Sequence, residues 1–330
     1  MTRRLHASGA ATLALLLTAV PLFAQSQSAD TKAVLTQLAT PVKGFTPPKT
    51  EWGDPDISGV WTSDAALGIP RERPEKFGTR AMLNDEEFAA AKKADTDRRV
   101  GAENATGAFR NDGAWKTKSY RQTSLVIEPE NGRTPAFTAE AQKRAATRDR
   151  GSFGEGPFDS PLDFTLYDRC ITRGIVGSIM PVVYGNGNRI VQSPGQVVIS
   201  YEMVHDTRVI YTDGRPHPAP GGWVPTGAGH SIGRYEGNVL VVESVGMTPG
   251  GVVGGGQRTA ETKLTERFEV APDGQSMTIT YSWEDAKIFQ KPHVYKYSFD
   301  RLPPGSYAFE DWCDASDPIE KYSVTPPIQK

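Results

Sequence analysis

From residue 185 onward the chain repeats one pattern, a run rich in Val, Ile, Thr and Tyr followed by turn residues. Runs at 189–192, 197–203, 208–212, 231–235, 239–245, 263–270, 276–284 and 294–300 read as β-strands, because branched and aromatic side chains suit a pleated, half-buried surface. Asp213-Gly214-Arg215-Pro216, Glu236-Gly237-Asn238 and Pro272-Asp273-Gly274 supply the turns. Short links make successive strands antiparallel neighbours. Two earlier runs, 58–63 and 123–127, bring the strands to about ten. A long antiparallel meander avoids exposed edges most simply by closing, so the expected fold is mainly β, a lipocalin-like barrel with a β-sandwich as the alternative. Two peripheral helices accompany it. Asn84 and Glu87 form a capping box opening a helix to about Arg98, and Thr138 opens a second to about Arg148.

The first residues follow a different rule. Arg3 and Arg4 precede a short, largely apolar stretch at 10–20 and the small residue Ala24, the three parts of an export signal. That stretch is well short of the roughly 20 apolar residues that span a bilayer. The expected organisation is a signal peptide over 1–24, a polar, Pro-bearing arm over 25–50 and one β-rich domain over 51–330. Secretion or a periplasmic location follows, without a membrane span. The 37 basic and 39 acidic residues give a net charge of −2, without the basic surplus that nucleic-acid binding requires. In an oxidising compartment the two cysteines, Cys170 and Cys313, read as one disulfide. Two buried thiols are the alternative.

Candidate chemistry concentrates in YEMVHDTRVIYTDGRPHP, residues 201–218, where Glu202, His205, Asp206, Arg208, Asp213, Arg215 and His217 lie close in sequence. His230 follows shortly. A carboxylate beside a histidine fixes its tautomer and supports its cation, so His205 with Asp206 is the candidate acid–base pair. Glu202 and His217 are further catalytic candidates, and Arg208 can hold an anion or a developing oxyanion. Arg215, His230, Tyr235, Trp223 and Glu266 are candidate substrate contacts. Glu266 is marked out because alternation places it with Leu264, Phe268 and Val270 on one strand face. Against this stands the plain alternative of a solvated hairpin, since turns collect such residues anyway. No cofactor is expected; zinc on the three histidines and a carboxylate is the alternative, although spacings of 12 and 13 match no compact ligand signature. The Gly-rich run at 250–256 lacks the features of a phosphate loop and reads as a hairpin connection or a lid. Trp283, Trp312 and Phe289 can line an apolar pocket or simply fill a core.

The motifs together resemble a known pattern. Asp56-Ile57-Ser58-Gly59-Val60-Trp61 resembles the Gly-x-Trp opening strand of lipocalin-like barrels. DRC at 168–170, YEMVHDTRVI at 201–210, DGRPH at 213–217, GRYEGNVLVVES at 233–244 and LTERF at 264–268 resemble an uncharacterised family of secreted bacterial β-rich proteins. The resemblance implies export and a barrel but no reaction. Three functions follow as expectations: an exported lyase, isomerase or hydrolase acting on a small, partly apolar molecule at a barrel mouth; a lipocalin-like carrier of a hydrophobic small molecule; or an envelope interaction protein. The partner in the first two is a small molecule.

Overall fold

The computed structural model describes residues 47–103, 118–145, 164–182, 185–219, 225–252 and 256–306. The strands are β1 (Gly59–Thr62), β2 (Val126–Glu128), β3 (Gly187–Ser193), β4 (Gln196–Tyr201), β5 (Thr207–Tyr211), β6 (His230–Glu236), β7 (Val239–Val245), β8 (Gly250–Val252), β9 (Gly256–Arg258), β10 (Lys263–Val270), β11 (Ser276–Glu284) and β12 (His293–Arg301). Their pairing runs β1-β3-β4-β5-β6-β7-β10-β11-β12-β2, and a further pairing of β1 with β12 closes nine strands into a barrel. The barrel is thus observed, and the sandwich is excluded. One junction departs from the meander: β5 and β6 are parallel, with Ile210 opposite Ser231. The link between them, residues 212–229, is long enough to return the chain to the starting end of β5, which a tight hairpin cannot do.

Closure depends on a strand of four residues. On one side of β1, Trp61 lies opposite Asn188 of β3, and on the other opposite Arg301 of β12. Trp61 is buried, its Nε1 donates to Ile57 O at 3.0 Å, and the Arg301 guanidinium covers its ring at 4.2 Å. Arg301 also donates from Nη1 to Ser58 O at 2.7 Å. Gly59 has φ 137°, a conformation that residues with a side chain rarely adopt, and a Cβ there would also lie 2.6 Å from that Nη1, so the first residue of Gly-Val-Trp is held to glycine.

The interior is filled. Alternation along β4, β10, β11 and β12 points Ile199, Phe268, Ile279 and Phe299 inward, with Tyr281 stacked on Tyr295 at 4.7 Å between centroids. Among these apolar groups sits one ion pair. Arg208 Nη1 and Nη2 donate to Glu266 Oε2 and Oε1 at 2.7 and 2.9 Å, with both side chains at most 2% exposed. Burial alone would weaken the guanidinium's hold on its proton, but the adjacent carboxylate more than offsets this and raises its pKa.

Three helices complete the described chain: α1 (Asp85–Glu103), α2 (Ala139–Ala145) and α3 (Gly174–Ile179). The capping box at α1 forms as read, with Glu87 N–H donating to Asn84 Oδ1 and Asn84 N–H to Glu87 Oε2. The Thr138 hydroxyl accepts from Ala141 N–H and opens α2. α3 is unanticipated, because GIVGSI is too short and too uniformly apolar for its period to distinguish helix from strand. All six of its residues are buried, and the inward-facing Tyr297 donates its hydroxyl to Ile179 O at 2.9 Å. It closes the end of the barrel where β4 and β11 finish and β10 and β12 begin. Among the described residues no helix is long and apolar enough to cross a membrane.

The buried pair yields the first prediction. Arg208→Met should cost about 3–5 kcal/mol of unfolding free energy in urea, because Glu266 keeps its burial and loses its partner. Arg208→Met with Glu266→Met should recover most of that loss. A single variant as stable as the double would contradict this account.

Candidate functional site

The hairpin that concentrates polar residues in the sequence is divided by the fold among three places. Arg208 and Glu266 face inward, locked to each other. Glu202, at the end of β4, accepts from Gly187 N–H at 2.7 Å through Oε2, and its own N–H donates to Gly187 O, so it ties β3 to β4. His205 is exposed on the turn that follows, where Val204 (φ 59°) and His205 (φ 42°) adopt left-handed conformations. Asp206 follows it, half-buried. Its Oδ2 accepts the Thr172 hydroxyl in a very short contact, and its Oδ1 accepts Thr207 N–H. Both Asp206 oxygens are thus engaged, one by a side chain 34 residues away and one by the backbone of the next residue. The turn between β4 and β5 explains the division, since the left-handed residues Val204 and His205 redirect the chain before β5 turns Arg208 inward.

His217 and His230 meet on the outer wall instead. Their Nδ1 atoms are 2.9 Å apart, and His217 Nε2 lies 3.5 Å from Glu243 Oε1. Lys263 Nζ contacts the other Glu243 oxygen at 2.5 Å. His230 stacks on Tyr211, whose ring also carries the Arg215 guanidinium at 3.9 Å. Arg215 is exposed and paired with Asp213. Partial burial lowers the pKa of both histidines, and for His230 the neighbouring His217 and Arg215 add to this. Among the described residues no three His, Cys, Asp or Glu side chains converge on a metal position, so the zinc alternative finds no ligand set there. Tyr235 is far from this wall in function: it accepts from Gln192 Nε2 at 2.8 Å, and the same amide donates to Pro55 O and accepts Ile57 N–H through Oε1. Burial pushes its phenol up to about 12. Trp223, Trp312 and Cys313 lie outside the described residues, and with Cys313 lies the expected Cys170–Cys313 pairing.

The barrel mouth at which a pocket is expected is closed by α3. Beneath it remains a void of about 10 Å³, room for a single water, bordered by Ile175, Met247, Leu264 and Trp283. A cavity of about 430 Å³ opens elsewhere, outside the barrel wall beside α1. Leu67, Ile69, Pro70 and Phe77 form one side, Leu83, Phe88, Ala91 and Ala94 the other, and Tyr120 and Thr123 the floor. The start of α1 is fixed firmly over this groove. Arg80 grips Glu87 through two hydrogen bonds of 2.6 and 2.7 Å, and these lower the carboxyl to about 2. Arg121 reaches Asp85 at 2.7 Å and lies over the Phe88 ring at 4.4 Å. Beyond that first turn Ala90, Ala91 and Ala94 are exposed, so an apolar helix side is left uncovered. Nothing in residues 64–185 signalled the groove, because its walls come from three segments that only the fold assembles.

His293 was also missed. It is fully buried with neither ring nitrogen hydrogen-bonded, and it lies between Trp283 (6.2 Å, stacked), Phe289 (4.6 Å) and Tyr295 (5.3 Å). Burial, with the Arg71 charge adding to it, lowers the imidazole to about 4. Compared with known proteins, the chain matches no family model and no curated sequence.

The burial of His293 gives acid sensitivity a sign. Its folded-state pKa lies below the ordinary value near 6.5, so the unfolded chain takes up the proton first. The stability it confers is complete above pH 6.5 and is lost as pH falls toward 4, by roughly 3 kcal/mol in total. His293→Phe should flatten the pH dependence of unfolding free energy across that interval. An unchanged slope would remove His293 as the cause.

Proposed function

We propose that this protein binds a small, largely apolar molecule in the groove beside α1, as an exported binding protein and not as an acid–base catalyst of the 201–218 hairpin. One observation carries the reading. The ligand-sized space of about 430 Å³ lies outside the barrel, bounded by aliphatic and aromatic side chains, while the barrel interior is filled by its own residues. The polar groups of its lining are fewer than the apolar ones and include Tyr120, Gln122 and Thr123, with the charged Lys76, Glu87, Lys92 and Asp95. That distribution suits a ligand with an apolar body and a polar end. The dispersal of Glu202, His205, Arg208 and His217 supports the same reading, since a general base and an anion anchor must reach one substrate atom together.

Groove and barrel separate cleanly in a test. N-phenyl-1-naphthylamine, an uncharged fluorescent apolar probe, should bind the wild type with a blue shift and saturate at one site. Ala91→Trp, at an exposed helix position, should weaken binding by about tenfold or more without changing the unfolding midpoint, because the indole occupies the groove. Equal affinity in wild type and Ala91→Trp would overturn the proposal. Loss of probe binding in His205→Ala with retention in Ala91→Trp would return attention to the hairpin.

A further inference from the structure

Arg258 is the last residue of β9, at the base of the Gly-rich two-stranded arm that β8 and β9 form. It is 2% exposed and lines the void beneath α3. Its Nη1 donates to Gly227 O at 3.0 Å, whereas Nε and Nη2 have no hydrogen-bond partner. Those two N–H groups form one edge of the guanidinium plane, the side-on fork that matches the two oxygens of a carboxylate. Among the described residues Asp206 is the acidic group whose charge acts on Arg258, yet its oxygens are taken by the Thr172 hydroxyl and Thr207 N–H. The guanidinium is therefore buried with its strongest bonding edge idle, and burial pulls its pKa down to about 10. An uncompensated buried cation is a costly feature to retain without a counter-ion.

The surroundings hold Arg258 in place. The next residue, Thr259, donates both its N–H and its hydroxyl to the buried Asp285 Oδ2 at 3.0 and 2.9 Å. The carbonyl that accepts from Nη1 belongs to Gly227, where a Cβ would lie 2.7 Å from Thr172 side-chain atoms, so that loop sits close only because the residue is glycine. Across the void stands Trp283, whose indole N–H is likewise buried and without a partner. Arg258, with two unpartnered donors, and Trp283, with a third, thus line one space, together with Thr262 and otherwise apolar residues.

We infer that the α3-capped end of the barrel is a binding site for a small monovalent oxyanion of carboxylate type, held side-on by Nε and Nη2 of Arg258 with the Trp283 indole N–H as a further donor. The void as it stands admits about one water, so even formate, the smallest carboxylate, enters only as the lining gives way slightly, and larger ones require displacement of α3. This site is independent of the α1 groove, and neither reading rests on the other.

The test uses the full chain at constant ionic strength, with sodium formate replacing sodium perchlorate. Formate should raise the wild-type unfolding midpoint in a saturable manner, as any ligand selective for the folded state does. Benzoate, too large for the void, should have no saturable effect. Arg258→Lys retains the charge but loses the fork, and should require about tenfold more formate for the same rise. An equal formate response in wild type and Arg258→Lys, or none in wild type, would overturn the site. Should Arg258→Lys not fold, the wild type decides alone. Formate should shift an exchange-protected arginine Nε–H resonance and the Trp283 indole N–H resonance together, and failure of either to move refutes the assignment.

Discussion

The rest of the structure depends on the requirement that no long strand edge be left bare. Without β1, eight strands run from β3 to β12, and the four residues of β1 pair with both at once, while β2 covers a further stretch of β12. That contact is possible because Gly59 leaves room for Arg301, and because Trp61 fills the barrel beneath it while the same arginine covers its ring. Once the sheet is closed, alternation decides which side chains face inward, and the identity of those side chains decides whether any space remains.

Little space remains, and this shapes the functional reading. Stacked tyrosines, the Arg208–Glu266 pair and α3 occupy the volume that an open barrel would offer a ligand. The pair is a poor candidate for chemistry for the same reason that it is a sound core element: both groups are buried and each holds the other through two hydrogen bonds. The arginine that remains available is Arg258, which is buried alike but has an idle edge. Two guanidiniums of similar burial differ in what they can do because one is hydrogen-bonded to a carboxylate through both Nη groups and the other only to the Gly227 carbonyl. Space suited to an apolar ligand is found outside, where α1 is tethered by its first turn and leaves its alanines uncovered.

Much of the fold was legible because period-two alternation and turn chemistry are local signals. Strands β7, β10 and β11 match the sequence reading residue for residue, and the capping box of Asn84 with Glu87 marks the start of α1 in the sequence itself. The position of Glu266 among Leu264, Phe268 and Val270 already pointed inward, although what it meets there, Arg208, lies 58 residues away in sequence. The candidate site was less legible. Proximity along the chain suggested that His205 and Asp206 act together, but the left-handed turn at Val204 and His205 exposes the histidine while Thr172 captures the carboxylate. Arg258 and His293 carried no signal, because a lone arginine after glycines and a lone histidine opening a strand are distinguished only by what surrounds them.

Sequence alone determined the strand order of residues, the turns between them, the capped start of α1 and the β-rich class, all of which follow from interactions spanning a few residues. Tertiary structure decided closure through β1, the parallel step from β5 to β6, the plugging of one end by α3 and the separation of the polar hairpin into three environments. Each of these arises from contacts between segments far apart in the chain, whose energies depend on volume, burial and partner geometry. A charge is a catalyst, a core element or an anion site according to what stands opposite it, and only the folded chain sets that.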